Sequence, residues 1–202
     1  MHPNSAFRHD DRVLLEALIE EIGFGMVFAT TPDGPRVAHT PLLSMRNGTI
    51  QFHLARGNAL TQHLNGITAL AVINGPDGYI SPRWYADQGQ VPTWNYVSLE
   101  LEGRVRRIDS DRLLALVEGL SERHEDRVPG GTPWTMDKLA PTQLRGLLAG
   151  IVGFELEIQA WRPTFKLSQN KSPDERARVV AALEAQGSPG IAQLMRKLGG
   201  PE

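Results

Sequence analysis

The sequence predicts an α+β protein that is mainly β: an antiparallel sheet closed into a small barrel, with helices at its periphery. Two observations carry this. Short β-prone runs are separated by strong turn signals, as in "PDGP" and "RNGT". Most of these runs precede the helices instead of alternating with them. This is not a βαβ rhythm, and it suggests an antiparallel sheet with peripheral helices. The chain has 202 residues, 41% of them hydrophobic, enough for a substantial core.

The elements follow in chain order. "DDRVLLEALIEEIGFG" repeats apolar residues at helical spacing (Leu14, Leu18, Ile22; Leu15, Ile19) and stops at Gly23, which reads as a short amphipathic helix. Its opening acids suit the positive end of the helix. "FGMVFATT", "RVAHTPLLS" and "TIQFHLA" are strands, and Asn47-Gly48 marks a hairpin turn. "RGNALTQHLNG" predicts one short helix capped by Asn58, and "ITALAVING" a buried strand. "PDGYISPRWYADQGQVP" predicts a long loop, followed by the long strand "TWNYVSLELEGRVRRI". "DSDRLLALVEGLSERHE" and "TMDKLAPTQLRGLLAG" predict two helices, the first with Leu113, Leu116 and Leu120 on one face. "IVGFELEIQA" and "PTFKLS" return to strand. In "KSPDERA", Ser172 caps a helix with Pro173 at its first position and Glu175 three residues after the cap, a capping box. "IAQLMRKLG" supplies a last amphipathic helix.

The totals exclude several classes of function. A net charge of −2 and a pI near 6.3 argue against a broad electrostatic grip on nucleic acid. With no cysteines, thiolate catalysis, iron–sulfur clusters and cysteine-bound zinc are out. No apolar run approaches the length of a membrane span and the N-terminus has no signal pattern, so a cytoplasmic protein is the expectation. There is no dinucleotide-binding glycine motif, Walker loop or nucleophile elbow. The six histidines show no metal-binding spacing.

Three stretches hold the chemistry that remains. In "ARGNAL", Arg56, Gly57 and a helix start at Asn58 would favour a phosphate, although an ordinary strand–helix turn has the same composition. "VPTWNY" places Trp94, Asn95 and Tyr96 at a strand entry, either as one wall of a planar-ligand pocket or as ordinary aromatic packing. "FKLSQNKS" concentrates Lys166, Ser168, Gln169, Asn170 and Lys171 before a capped helix. Taken alone, amides that cap local backbone explain this stretch.

Together "HLARGNAL", "GPDGYISPRWY", "VPTWNYVSLELEGRVR", "IVGFELEI" and "FKLSQNKSPDERARVVAALEAQG" resemble the PaiB family, within the FMN-binding split-barrel, pyridoxamine-phosphate oxidase-like group. The resemblance covers residues 1–187, which it makes one FMN-binding domain, with 188–202 as a C-terminal helical tail. It implies an antiparallel six-stranded split β-barrel with peripheral helices. It also implies a homodimer with FMN at the subunit interface. Carried onto this sequence, His39, Thr40 and Pro41 run along the flavin and Arg56, Gly57 and Asn58 hold its phosphate. Trp94, Asn95, Lys166, Gln169 and Asn170 come from the same subunit or its partner. The wider group often has a Lys beside the phosphate-binding Arg, where this chain has Gly57 and Asn58. The family is described as a negative transcriptional regulator. A repressor or flavin-dependent sensor is therefore the expected function, with DNA a weakly supported partner. The alternatives are an FMN-dependent oxidoreductase acting on a small-molecule substrate with NAD(P)H, and a haem-binding split barrel ligated through His39 or His63.

Overall fold

The computed structural model of the protein describes residues 4–87 and 89–199. Its helices are α1 (Arg12–Ile22), α2 (Ser110–Glu125), α3 (Pro141–Ala149), α4 (Pro173–Ala185) and α5 (Pro189–Leu198). Its strands are β1 (Phe24–Thr31), β2 (Gly34–Pro41), β3 (Leu43–Ser44), β4 (Thr49–Ala55), β5 (Thr68–Ile80), β6 (Thr93–Arg107) and β7 (Ile151–Lys166). They hydrogen-bond in the order β2-β1-β5-β6-β7-β4-β3. Every registered pair is antiparallel. The architecture is the expected α+β split barrel with peripheral helices.

The strand count is seven, not the expected six. "RVAHTPLLS" breaks at Leu42, a fully buried residue whose N–H donates to the Gly23 carbonyl, and Leu43–Ser44 then turns to pair with β4. Elsewhere runs fuse. "IVGFELEIQA" and "PTFKLS" form one strand, and "PDGYI" continues β5 instead of opening a loop. The expected helix at Asn58 is absent: residues 56–63 form successive turns. The helical spacing of Leu60 and Leu64 is real, since both are buried and Leu64 N–H donates to the Leu60 carbonyl, but the pattern lasts a single turn. "TMDKLAPTQLRGLLAG" is likewise divided, into a 3₁₀ turn at Met136–Lys138 and α3, because Pro141 suits a first helical position and not an interior one.

The described residues fall into two compact units. The first comprises 16–73 and 100–161, and the second the described parts of 1–15, 74–99 and 162–202. The first holds β1 to β4 and α2. Its core includes Ile19, Val27, Ile50, Phe52, Leu101, Val105, Phe154 and Leu156. Phe52 and Phe154 are register partners on β4 and β7 and stack with ring centroids 5.6 Å apart. Gly103 is required here: a Cβ would lie 2.0 Å from the Glu157 carbonyl oxygen, so only glycine lets β6 approach β7 this closely. Thr40, 2% exposed on β2, donates its hydroxyl to the His53 carbonyl on β4 at 2.7 Å. β2 ends the ladder order and β4 stands next to its other end, so this side-chain bond crosses the split in the unclosed barrel.

In the second unit, α4 and α5 pack Val179, Leu183, Ile191 and Met195 into a core with Ile80, Val97 and Phe165. The capping box is half realised. Ser172 Oγ accepts from Glu175 N–H at 3.3 Å. The Glu175 carboxylate does not return to the cap; it accepts from the N–H groups of Ala86 and Asp87.

Candidate flavin site

Each unit has a cavity in which charged and polar side chains stand among apolar walls. The first unit's is the larger, about 870 Å³, within the range that encloses a nucleotide-sized ligand. β4 ends at Ala55 and delivers Arg56; β6 ends at Arg107; Ser110 opens α2; Arg145 lies on α3. All four line the cavity, with apolar walls from Ile108, Leu148 and Ile151. Arg56 donates from Nε to the Ala149 carbonyl at 2.8 Å and from Nη2 to the Ile151 carbonyl at 3.4 Å, which fixes its guanidinium at the mouth of β7. Gly57 is open around its Cα: a Cβ would meet nothing within 4 Å. Asn58 serves its own turn, accepting from Leu60 N–H through Oδ1 at 2.9 Å. With no helix at this point, the expected helix N-terminus is absent, and Arg56, Arg107 and Arg145 are the cations that line the cavity.

The second unit's cavity is about 240 Å³ and is lined by Lys166, Lys171, Asn95, Ser168, Asn170 and Tyr85, among others. Lys166 Nζ donates to Thr93 Oγ1, and burial lowers its pKa from the ordinary value of 10.5. Lys171 Nζ donates to Gln90 and sits 5.5 Å from the Tyr85 ring centroid, a cation–π distance. Asn95 is 1% exposed and donates to Ser168 Oγ at 2.9 Å and to Met195 Sδ at 3.3 Å. Ser168 holds φ at 60°, a conformation that aims its hydroxyl at Asn95.

The remaining expected residues are distributed as follows. His39 is exposed on β2, opposite Met26. Thr40 is buried in the bridging bond described above. Pro41 lines a third cavity of about 250 Å³ with His53, His124 and Trp134. Among the described residues His53 Nδ1 is buried without a hydrogen-bond partner, and desolvation holds its pKa below the ordinary 6.5. Trp94 is 53% exposed and meets Tyr79 edge-on at 6.0 Å. Gln169 is committed to backbone: Oε1 accepts from Leu167 N–H at 2.8 Å and Nε2 donates to the Phe165 carbonyl. Sequence reasoning misses Arg107 and Arg145. "RVRRI" reads as a solvated strand edge, which fits Arg106, ion-paired to Glu157 at 3.8 Å, but not Arg107 at the strand's end.

The family model "Putative FMN-binding domain" matches residues 1–160. The chain is 30% identical over 180 residues to protease synthase and sporulation protein PAI 2 of Bacillus subtilis, covering 87% of this chain and 86% of that one. The chain belongs to the PaiB family of FMN-binding proteins. An uncharacterised Emericella nidulans protein, 27% identical, is similar over 77% of this chain and 75% of its own. Among solved structures, the FAD and heme binding protein from Mycobacterium smegmatis superposes with a TM-score of 0.60 at 16% identity, covering 84% of this chain and 78% of that one. The flavocytochrome Anf3 from Azotobacter vinelandii gives 0.59 at 16% identity, covering 88% and 78%. These two share the fold.

The residues present fit the family's cofactor. FMN offers a phosphate for guanidiniums, hydroxyls for amides, and a ring for apolar and cationic walls. When bound, it supplies redox chemistry at that ring. Arg56 would hold the phosphate. Lys166 and Asn170, which line the other unit's cavity, offer a cation and an amide as further polar partners. No general base is demanded of the chain.

Proposed function

We propose that the protein binds FMN as a homodimer, in a site to which both subunits contribute, and acts as a flavin-dependent regulator or sensor. Arg56 carries the reading: the residue that the family resemblance assigns to the phosphate lines a cavity with two further guanidiniums. The other expected ligands, Lys166, Asn170 and Asn95, line a separate cavity of the other unit, and in a shared site the two sets can come from different copies.

The dimer is supported by one face of the first unit. Across β2, β1 and β5 the register aligns Val37, Phe28 and Leu70 in one row and His39, Met26 and Val72 in the next. Phe24 is 52% exposed, Val37 43% and Phe28 36%. A contiguous apolar sheet face with its expected flavin residue His39 among the rows is what a subunit interface would cover.

A regulatory role is what the family resemblance implies; the Bacillus subtilis relative is named a protease synthase and sporulation protein. With a net charge of −2, regulation through a partner or through metabolism is favoured over direct repression. The visible spectrum of the purified protein, before and after addition of FMN, tests the cofactor. Sedimentation tests the dimer: a monomer that binds FMN tightly overturns the shared site, and F28K/V37K is expected to abolish both association and FMN binding. A gel-shift at physiological salt that reveals sequence-preferring DNA binding would restore direct repression. Bleaching of bound FMN by NADH or NADPH would mark an oxidoreductase instead.

A further inference from the structure

The cavity of about 250 Å³ that His53 and Trp134 border lies wholly within the first unit and shares no lining residue with the Arg56 cavity. Its chemistry is the reverse. Among the described residues that line it there is no Lys or Arg, and Glu125 supplies a carboxylate. Glu125 is the last residue of α2, where the helix terminus already concentrates partial negative charge. Its Oε2 accepts from Trp134 N–H at 2.8 Å. Among the described residues Oε1 has no hydrogen-bond partner and the carboxylate has no ion-pair partner. Other acids of this chain do find one: Glu20, Glu21, Glu155, Glu157 and Glu184 each pair with an arginine.

Further acceptors accompany the carboxylate. Ser121 gives its hydroxyl proton to the Val117 carbonyl at 2.9 Å, which leaves lone pairs on Oγ. Burial favours the neutral form of His53, and a neutral imidazole offers one acceptor nitrogen. Its Nδ1 is the buried nitrogen that no described residue satisfies. The His124 ring is held by packing alone. It lies against Gly23, where a Cβ would stand 2.7 Å from its Cε1, and neither ring nitrogen bonds a described residue. Gly130 and Gly131, at φ 78° and 76°, turn the chain between α2 and Trp134. Trp134 brings an indole to the cavity, the aromatic face that attracts cations best. Val117 and Leu120 add apolar wall. An unpaired carboxylate, neutral acceptors and an indole match an ammonium group carried on an apolar body.

We infer that this cavity binds a small organic cation, a primary amine with an aromatic or branched apolar group, with Glu125 as its counter-ion and Trp134 as its aromatic wall. The site goes beyond the flavin reading: of the residues expected to hold FMN, only Pro41 borders it.

The test titrates phenethylamine and its uncharged isostere 2-phenylethanol into the full chain at neutral pH. NMR follows the four tryptophan indole N–H resonances, with Trp134 assigned by W134F. Wild type is expected to bind the amine about tenfold or more tightly than the alcohol, because a hydrogen bond to an ionised group is the stronger one. The Trp134 resonance should move while those of Trp84, Trp94 and Trp161 stay in place. E125Q keeps an acceptor for Trp134 N–H and should bring the amine down to the affinity of the alcohol. E122Q, which removes the same charge from an exposed position on α2, should keep the preference. Equal affinity of wild type for the two probes, an unmoved Trp134 resonance, or an E125Q variant that retains the preference would each overturn the proposal. The first two readouts come from wild type alone, so they decide the matter if E125Q does not fold. The titration is repeated at saturating FMN, where amine binding is expected to be unchanged. Displacement of the amine by FMN would give the cavity to the flavin site and overturn the proposal. Amine binding by a chain that takes up no FMN would instead sink the flavin reading and leave this site standing.

Discussion

Thr40→Val isolates the bond that bridges the split. Valine has nearly the same shape as threonine, so the space left by the 2%-exposed side chain stays filled. What is lost is the 2.7 Å hydrogen bond to the His53 carbonyl. A net hydrogen bond contributes about 1 kcal/mol, and leaving a buried acceptor without a donor costs about 1–3 kcal/mol. The expected loss is therefore about 2 kcal/mol. For a chain of this size that lowers Tm by roughly 4–8 °C. Urea titration followed by tryptophan fluorescence reads the same loss as a lower midpoint at unchanged slope. Thr40→Ser keeps the hydroxyl and separates loss of the bond from loss of the methyl group. If T40V unfolds at the wild-type midpoint but binds FMN poorly, the hydroxyl belongs to the flavin and not to the barrel, and the reasoning is refuted.

Other expectations follow from the same geometry. Gly103→Ala should destabilise by about 1–3 kcal/mol, since its Cβ meets backbone that cannot rotate away; a wild-type Tm would show that β6 and β7 can separate without cost. Burial lowers the folded-state pKa of His53, so the unfolded chain binds the extra proton first as pH falls below about 7. Stability should be full above 6.5 and decline as pH falls toward the folded pKa, and His53→Phe should flatten that slope in urea titrations at stepped pH. Glu175→Ala should release Ala86 and Asp87, raising the hydrogen-exchange rates of those two amides at least tenfold while α4 itself keeps its Ser172 cap. Lys166→Ala and Asn170→Ala should each weaken FMN binding, measured by fluorescence; unchanged affinity in both would return the loop to a purely structural role.

Local signals in the sequence are enough for most of the fold. Period-2 runs, the Asn47-Gly48 turn, the Gly23 stop and the Ser172 cap each act over a few residues, and each is realised in the structure. What the sequence does not specify depends on distant partners. One turn of helical spacing at Leu60 and Leu64 looks the same whether or not a helix continues. The site is legible in part. Arg56, Lys166 and Asn170 sit in short polar clusters that stand out from their surroundings. Arg107 and Arg145 are separated by 38 positions from each other and share a wall only because β6 and α3 end near the same place. Gln169 stands in the same polar cluster, but its amide bonds its own loop, which composition does not reveal.

The bond from Thr40 to the His53 carbonyl also bears on solubility. β2 ends the hydrogen-bonding order and so has one side free to template another chain. That strand carries Pro35 and Pro41 near its two ends and Arg36 between them, residues that interrupt or repel an added strand. The Thr40 bridge folds the remaining edge back toward its own sheet. An apolar sheet face can thus stand in solvent beside a backbone edge that does not invite further strands, which limits growth into fibres.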